Sequence, residues 1–196
     1  GITGGIASGK STVTNFLRQK GFQVVDADAV VHDLQKAGGR LYQVLVKHFG
    51  QEIILENGEL NRPLLASLIF SNPEEREWSK QTQGEIIREE LAALRDQLTQ
   101  TEAIFFMDIP LLFEQDYSAW FDETWLVYVN RDVQVERFMK RDHLSKEVAE
   151  SRLAAQWSLE EKKKLASHIL DNNGSRDQLV SQVVKLLEGG DSCARD

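Results

Sequence analysis

The stretch Gly4-Gly5-Ile6-Ala7-Ser8-Gly9-Lys10-Ser11 decides the fold of this 196-residue chain. It matches the pattern G-x-x-x-x-G-K-[ST] at every defined position, and it lies between a short apolar run, Ile2-Thr3, and a segment with helical spacing. Its glycines let the backbone curl so that successive N–H groups face one centre, where a phosphate group can bind. Because strand, loop and helix follow in the required order, a chance glycine turn before a lysine is a poor alternative.

The loop assigns a role to each of its residues. Lys10 supplies a positive charge for the β- and γ-phosphates of a nucleoside triphosphate, and the Ser11 hydroxyl is placed to bind Mg²⁺. A helix predicted from about Gly9 to Gln19 points its positive N-terminal end at the phosphates. The predicted ATP-binding residues of this segment are Gly5, Ala7, Ser8, Gly9, Lys10, Ser11 and Thr12.

Short apolar runs alternate with helical segments along the rest of the chain. Each run is almost continuously apolar, as expected for strands buried on both faces of a parallel sheet. The sequence therefore predicts an α/β fold of the P-loop NTPase class, a three-layer α/β/α core with about five parallel strands. The predicted strands are Ile2-Thr3, Phe22 to Val25, Ala103 to Met107, Thr124 to Val129 and Ser167 to Leu170.

Two strand-free stretches interrupt this alternation. Residues 29–99 hold about three helical segments and the turn signal Asn57-Gly58, which predicts a helical insert. Residues 141–165 are dense in charge and are predicted to form a lid. Within them Ser158 and Glu161 have the spacing of a helix-starting capping box, and the run Lys162-Lys163-Lys164 is predicted to be a solvated face. The remaining predicted parts are a nucleotide-binding core at 1–28, 100–140 and 166–188, and a disordered tail at 189–196.

Composition limits the kinds of partner and compartment. The formal net charge of −8 argues against a general binder of nucleic acid or of membrane surfaces, which are themselves anionic. The single cysteine, Cys193, provides no disulfide framework and suits a reducing compartment, so we expect a cytoplasmic protein. Only Gly1-Ile2-Thr3 precede the loop, so we also expect that some residues are missing before Gly1.

Carboxylates follow two of the predicted strands. Asp26-Ala27-Asp28 comes directly after the second strand, and Asp108 ends the third. In an open parallel sheet, ligands gather at the carboxyl ends of the strands, so we expect Asp28 to face the γ-phosphate region. Asp108 is predicted to hold Mg²⁺ directly or through water. The alternatives are that one of the two aspartates, Asp26 or Asp28, merely caps the next helix, and that Asp108 is a solvated strand end.

Arginines near residue 150 favour a kinase among the proteins that carry this loop. Arg137, Arg141 and Arg152 lie in or beside the charged stretch, where a mobile lid would supply them at phosphoryl transfer. Arg137 could instead pair with acidic neighbours on its own helix. A guanine-specific switch would usually carry Asn-Lys-x-Asp, and the nearest match, Asn130-Arg131-Asp132, lacks the lysine and places the aspartate one position early.

Several further motifs occur in a fixed order along the chain. They are Ile2 to Thr12, Asp26-Ala27-Asp28, Gly58 to Arg62 followed by Leu65 and Ile69-Phe70, Ile109 to Glu114, Gln134 with Arg137 and Arg141, Arg152 to Gln156, and Asp171 to Ser175. In this combination the chain resembles the dephospho-coenzyme A kinase family over nearly its whole length. It departs from the family pattern at Ala7, where glycine is more usual, and at Gln83-Gly84, where His-Pro is common.

The resemblance implies that ATP phosphorylates the ribose 3′-hydroxyl of dephospho-coenzyme A, with Mg²⁺ as cofactor. Asp28 would take or orient the hydroxyl proton, which makes Asp28, Lys10 and Arg141 the predicted catalytic residues. The resemblance also implies that Arg141 and Arg152 close over the phosphates, that Asn173 lies near the adenine, and that Arg62, Arg88 and Leu111 bind the acceptor. It makes the segment at 29–99 a helical acceptor-binding insert. The alternatives are a nucleoside or nucleotide-monophosphate kinase and, less favoured, a nucleotide-dependent switch. We expect a monomer or small homo-oligomer.

Overall fold

The computed structural model describes residues 1–190 and divides into two compact units. The first unit comprises Gly1–Val24 and Ile104–Asp196, and the second comprises Val25–Ala103. The strands are β1 (Ile2–Gly4), β2 (Gln23–Asp26), β3 (Phe105–Asp108), β4 (Trp125–Tyr128) and β5 (His168–Asp171). The α-helices are α1 (Lys10–Gln19), α2 (Ala27–Leu34), α3 (Arg40–Phe49), α4 (Arg62–Ser71), α5 (Pro73–Thr101), α6 (Arg131–Asp142), α7 (Lys146–Ala154), α8 (Leu159–Lys163) and α9 (Arg176–Gly190).

A single parallel sheet with the strand order β2-β3-β1-β4-β5 organises the first unit, and the predicted fold class is confirmed. β1 lies at the centre, with Ile2 opposite both Asp108 of β3 and Trp125 of β4. The strand bounds differ from the sequence prediction by one or two residues. β3 begins at Phe105 rather than Ala103, and Ile104 is 46% exposed, because the strand enters the sheet only where its side chains become covered.

The two faces of the sheet pack against different helices. Trp125 and Val127 join a cluster with residues of α1 and α9, whereas Leu126 and Tyr128 pack with Leu159 of α8 on the other face. Successive side chains of a strand point to opposite faces, so this alternation produces the three layers. Both faces of β4 are buried, which explains why its sequence is continuously apolar.

The second unit is helical and contains α2 to α5. Four α-helices form here, whereas the sequence predicted about three. Asn72 and Pro73 separate α4 from α5. The Asn72 side chain accepts a hydrogen bond from the amide of Glu74, and Pro73 begins α5. The predicted Asn57-Gly58 turn is confirmed, since Gly58 adopts a φ of 83° beside an antiparallel bridge between Ile54 and Leu60.

The predicted tail begins too early in the chain. Gly189 and Gly190 belong to α9, which continues past Leu187. Residues 191–196 lie outside the described residues. Among residues 1–190, none of the helices is long and apolar enough to cross a membrane.

Candidate active site

The phosphate loop leaves β1 at Gly4 and enters α1 at Lys10. Ala7 and Gly9 have φ angles of 58° and 92°, so the chain turns twice through the left-handed region. Within the turn, the Ser8 amide donates to the Gly5 carbonyl at 3.1 Å. The helix begins at Lys10 rather than at the predicted Gly9, because a residue with a φ of 92° cannot be helical.

Two amide side chains that are distant in sequence from the phosphate loop donate hydrogen bonds to it. Gln134 of α6 donates through Nε2 to the Ile6 carbonyl at 2.8 Å, and Asn172, which follows β5, donates through Nδ2 to the Ser8 carbonyl at 2.8 Å. Both side chains are buried. In a trans peptide, the carbonyl of one residue and the N–H of the next point in opposite directions. The two contacts therefore turn the N–H groups of Ala7 and Gly9 away from these side chains, as a bound phosphate requires.

Gly9, like Gly4 and Gly5, is a loop position at which a side chain is excluded by its surroundings. A Cβ placed on Gly9 would overlap the Asn172 amide nitrogen, and its next two nearest atoms, at 3.2 and 3.9 Å, also belong to Asn172. The left-handed backbone at this position disfavours other residues independently. The Asn172 contact thus depends on a glycine at position 9.

Lys10 and Asp108, two predicted site residues, are brought together where α1 begins and β3 ends. The Lys10 ammonium group contacts the Asp108 carboxylate directly. Asp108 is only 4% exposed, so the alternative of a solvated strand end is wrong. Ser11 is exposed in the first turn of α1. The Asp108 carboxylate and the Ser11 hydroxyl are oxygen donors of the kind that Mg²⁺ prefers, and they fit such an ion.

No group of three or more His, Cys, Asp or Glu side chains that could hold a metal ion occurs in the part of the chain that the structure describes. An ion held by Ser11 and Asp108 would therefore complete its coordination with phosphate oxygens and water. That pattern is usual for Mg²⁺ in nucleotide-dependent enzymes, because the ion keeps several waters.

The loop after β5 contains the predicted adenine-site residue Asn173. Its Oδ1 accepts from the Asn130 amide at 2.8 Å, and its Nδ2 donates to Asp171 Oδ1 at 2.7 Å. These contacts tie the loop to the segment after β4. The neighbouring Asn172, which sequence reasoning did not single out, is the residue that reaches the phosphate loop. Its place within the motif Asp171 to Ser175 was the available signal.

The predicted lid arginines lie on α6 and α7. The Arg141 side chain is 58% exposed, and its hydrogen bond with Asp142 raises the pKa of Arg141 and lowers the pKa of that carboxyl. Arg152 is exposed on α7. The two helices pack through Val135 and Phe138 of α6 against Ala149 and Leu153 of α7.

The start of α8 confirms the predicted capping box. Ser158 accepts from the Glu161 amide, and the Glu161 carboxylate accepts from the Ser158 amide at 2.7 Å. The Ser158 hydroxyl also donates to the Glu161 carboxylate, at 2.7 Å. The hydrogen bonds that this carboxylate accepts, first from the Ser158 hydroxyl and then from the Ser158 amide, lower the pKa of Glu161. The box fixes where the short helix begins.

Lys162 of α8 corrects a sequence prediction. The run of three lysines was predicted to be a solvated face, but Lys162 is fully buried, and only Lys163 and Lys164 are exposed. Lys162 Nζ lies 2.8 Å from the Pro110 carbonyl oxygen and 2.8 Å from Glu114 Oε1. The reason is helical geometry, since Lys162 comes three residues after the buried Leu159 and therefore shares its inward face.

In the second unit, Asp26 and Asp28 have separate roles. Asp26 Oδ1 accepts from the amides of Asp28 and Ala29 at 3.0 and 3.1 Å, so Asp26 caps α2 as the alternative interpretation held. Asp28 lies in the first turn of α2 with an exposed side chain. The carboxylate that accepts the capping hydrogen bonds of α2 is thus that of Asp26 and not that of Asp28.

The other predicted acceptor residues of this unit lie on α4 and α5. Arg62 begins α4, and its guanidinium lies 3.1 Å from Nδ1 of His32, which follows Asp28 by one turn on α2. Arg88 is exposed on α5. On the same helix, Gln83 donates to the Ser79 hydroxyl, so it is engaged within α5. Leu111 belongs to the first unit, where it is half-buried in the loop after β3.

Comparison with known proteins covers nearly the whole chain. A family model described as dephospho-CoA kinase matches residues 1–178. A dephospho-CoA kinase from Streptococcus pneumoniae serotype 4 is 81% identical over 196 residues, which are 100% of this chain and 98% of that protein.

Solved structures show the same fold. A crystal structure from Thermus thermophilus is 34% identical with a TM-score of 0.77, and the match covers 96% of this chain and 95% of that one. A dephospho-CoA kinase from Campylobacter jejuni is 26% identical with a TM-score of 0.73, and the match covers 96% of each chain. With its phosphate loop, its parallel sheet and these relatives, the chain belongs to the dephospho-CoA kinase family.

Proposed function

We propose that this protein transfers the γ-phosphoryl group of ATP to the ribose 3′-hydroxyl of dephospho-coenzyme A. The products are ADP and coenzyme A, and the reaction is the last step of coenzyme A synthesis. The observation that carries the proposal is the family match over residues 1–178, together with a relative of that name at 81% identity. The ordered motifs on both sides of the phosphate loop support the same assignment.

The donor half of the reaction is the work of the phosphate loop. Its backbone amides bind the phosphates of ATP, and Lys10 neutralises negative charge on the transferred group. When Mg²⁺ is bound, Ser11 and Asp108 would hold it, and it would neutralise charge on the phosphates. Asn173 lies near the adenine, and Arg141 and Arg152 close over the phosphates.

The acceptor half depends on Asp28. Its carboxylate takes or orients the proton of the 3′-hydroxyl, so that the oxygen can attack phosphorus. Arg62, Arg88 and Leu111 bind the acceptor. The enzyme acts in the cytoplasm as a monomer or small homo-oligomer.

Acceptor-dependent ADP release from the purified protein tests the reaction. Dephospho-coenzyme A should stimulate release from ATP, whereas AMP, shikimate and nucleosides should not. Mass analysis of the product should show one phosphate added. Absence of stimulation by dephospho-coenzyme A would sink the proposal, and stimulation by AMP or a nucleoside would favour a different small-molecule kinase.

The role of Asp28 has a matched control two residues away. Asp28→Asn keeps the shape of the side chain but removes its basicity, so kcat should fall by ~10²-fold or more. Asp26→Asn should leave kcat nearly unchanged, because asparagine caps a helix about as well as aspartate. Near-normal turnover of Asp28→Asn would show that Asp28 is only structural. An equal loss in both variants would point to damage to α2 instead.

A further inference from the structure

The buried ammonium group of Lys162 joins two segments of the first unit that are 52 residues apart in sequence. Its side chain has no exposed surface, and it ends between the Pro110 carbonyl and the Glu114 carboxylate, each at 2.8 Å. Pro110 and Glu114 lie four residues apart in the turn at 110–116, which follows β3. One side chain therefore contacts this turn at two points.

The two groups that Lys162 contacts, the Pro110 carbonyl and the Glu114 carboxylate, differ in their other contacts. The Pro110 carbonyl also accepts a hydrogen bond from the buried hydroxyl of Thr3 at 3.1 Å, so it is held from β1 as well as from α8. The Glu114 side chain is only 12% exposed, and neither of its oxygens receives a well-directed hydrogen bond from any residue within 1–190. Lys162 is thus the close counter-charge of a carboxylate that is largely out of water.

The helix that carries Lys162 is itself fixed on the sheet. Leu159 packs against Leu126 and Val129, and the Tyr128 hydroxyl donates to Glu160. With the capping box at its start, α8 has little freedom to shift. Lys162 therefore transmits the position of α8, which belongs to the predicted lid segment, to the loop after β3.

Stability alone does not account for this pair. A buried ion pair is often no better for folding than well-packed apolar residues of similar volume, because both charges must leave water. A pair that is weak evidence for stability can still fix one geometry among several. Here the geometry concerned is that of Leu111, which lies between Pro110 and Glu114, the two residues that Lys162 contacts.

We propose that Lys162 is a positioning residue for the acceptor: by binding the Pro110 carbonyl and the Glu114 carboxylate it sets the loop from which Leu111 contacts dephospho-coenzyme A. This inference rests on the proposed function. The loop position affects the acceptor, whereas ATP is held by the phosphate loop. Loss of the pair should therefore raise the KM for dephospho-coenzyme A more than the KM for ATP.

The double variant Lys162→Met/Glu114→Leu tests this, since it removes both charges and leaves none unpaired. Its melting temperature should stay close to that of the wild type. Its KM for dephospho-coenzyme A should rise by about 10-fold, a moderate cost for a misplaced contact, while its KM for ATP stays within about twofold. Lys162→Arg, which keeps the charge and the donors, should recover most of the acceptor affinity. Lys164→Met, an exposed neighbour on the same segment, should change nothing.

A double variant with normal stability and a normal KM for dephospho-coenzyme A would overturn the proposal and leave a purely structural pair. Equal increases in the KM of both substrates would overturn it as well. If the double variant does not fold, Lys162→Met/Glu114→Gln decides, because it also removes both charges and the Lys162 ammonium group while it keeps the volume of the Glu114 side chain. An unchanged KM for dephospho-coenzyme A in that variant would refute the proposal, and a selective increase would support it. A wild-type enzyme that ignores dephospho-coenzyme A would sink the proposed function first, and this inference with it.

Discussion

Replacement of Gly9 by alanine should destabilise the protein through two separable effects. The first is backbone strain, since a φ of 92° costs an L-residue ~1–2 kcal/mol. The second is the overlap of the new methyl group with the Asn172 amide. The amide must then move, and its hydrogen bond to the Ser8 carbonyl is lost. A buried carbonyl left without its donor costs ~1–3 kcal/mol.

The two effects together amount to a loss of ~2–5 kcal/mol, summed from the strain and hydrogen-bond terms. For a chain of this size, each kcal/mol lowers the melting temperature by ~2–4 °C. Thermal unfolding without nucleotide should therefore show a fall of ~4–20 °C for Gly9→Ala on the same scale.

Gly21 provides the matched control. It has a φ of 93°, but no atom of the described residues lies within 4 Å of the position that its Cβ would occupy. Gly21→Ala should therefore show the strain alone, a fall of ~2–8 °C. Gly9→Ala made in an Asn172→Ala background should show a similarly small fall, because the overlapping atoms are gone. If Gly9→Ala costs the same in both backgrounds, the explanation by contact with Asn172 is refuted.

Three further predictions concern side chains of the first unit. Gln134→Leu removes a donor to the phosphate loop, so the KM for ATP should rise about 5- to 30-fold, and an unchanged KM would contradict the role given to this contact. Ser158→Ala should lower the free energy of unfolding by ~1 kcal/mol. This loss of stability should shrink in acid, because the pKa of Glu161 is lowered in the folded protein. The hydrogen bonds to the Glu161 carboxylate stabilise the fold fully above the ordinary carboxyl pKa, and this contribution disappears as pH falls through the lowered pKa. The hydrogen bond to Glu160 raises the pKa of Tyr128 to about 12. This hydrogen bond therefore stabilises the fold fully below the ordinary phenol pKa, and its contribution is lost as pH rises through about 12. An ultraviolet titration should therefore differ between wild type and Tyr128→Phe near that pH, and a difference near pH 10 would contradict this assignment.

The features that could be predicted from the sequence are those that neighbouring residues determine. The phosphate loop is complete within eight residues, the Ser158–Glu161 box within four, and the Asn57-Gly58 turn within two. The five strands were also recognisable, because strands buried on both faces are continuously apolar. Their ends were not, since an end depends on where neighbouring elements stop covering the strand.

Lys162 shows why the rest could not be predicted. Three consecutive lysines look alike in a sequence, and most lysines are exposed. Only the placement of Leu159 against the sheet determines which of the three points inward, and only the tertiary fold brings Glu114 to meet it. The roles of Asn172 and Gln134 were hidden for the same reason, because their hydrogen-bond partners in the phosphate loop lie 164 and 128 residues away in the sequence.

The amide contacts of the phosphate loop also bear on the order in which the protein acquires activity during synthesis. The loop is made before the residues that hold it, which follow 128 and 164 positions later in the chain. At ~5–20 residues per second, those partners emerge many seconds after the loop itself. A nascent chain therefore carries the complete phosphate-binding motif long before Gln134 and Asn172 are present to hold the loop in its folded conformation. We expect ATP to bind only chains that extend beyond Asn172, so the nucleotide cannot serve as an early folding template.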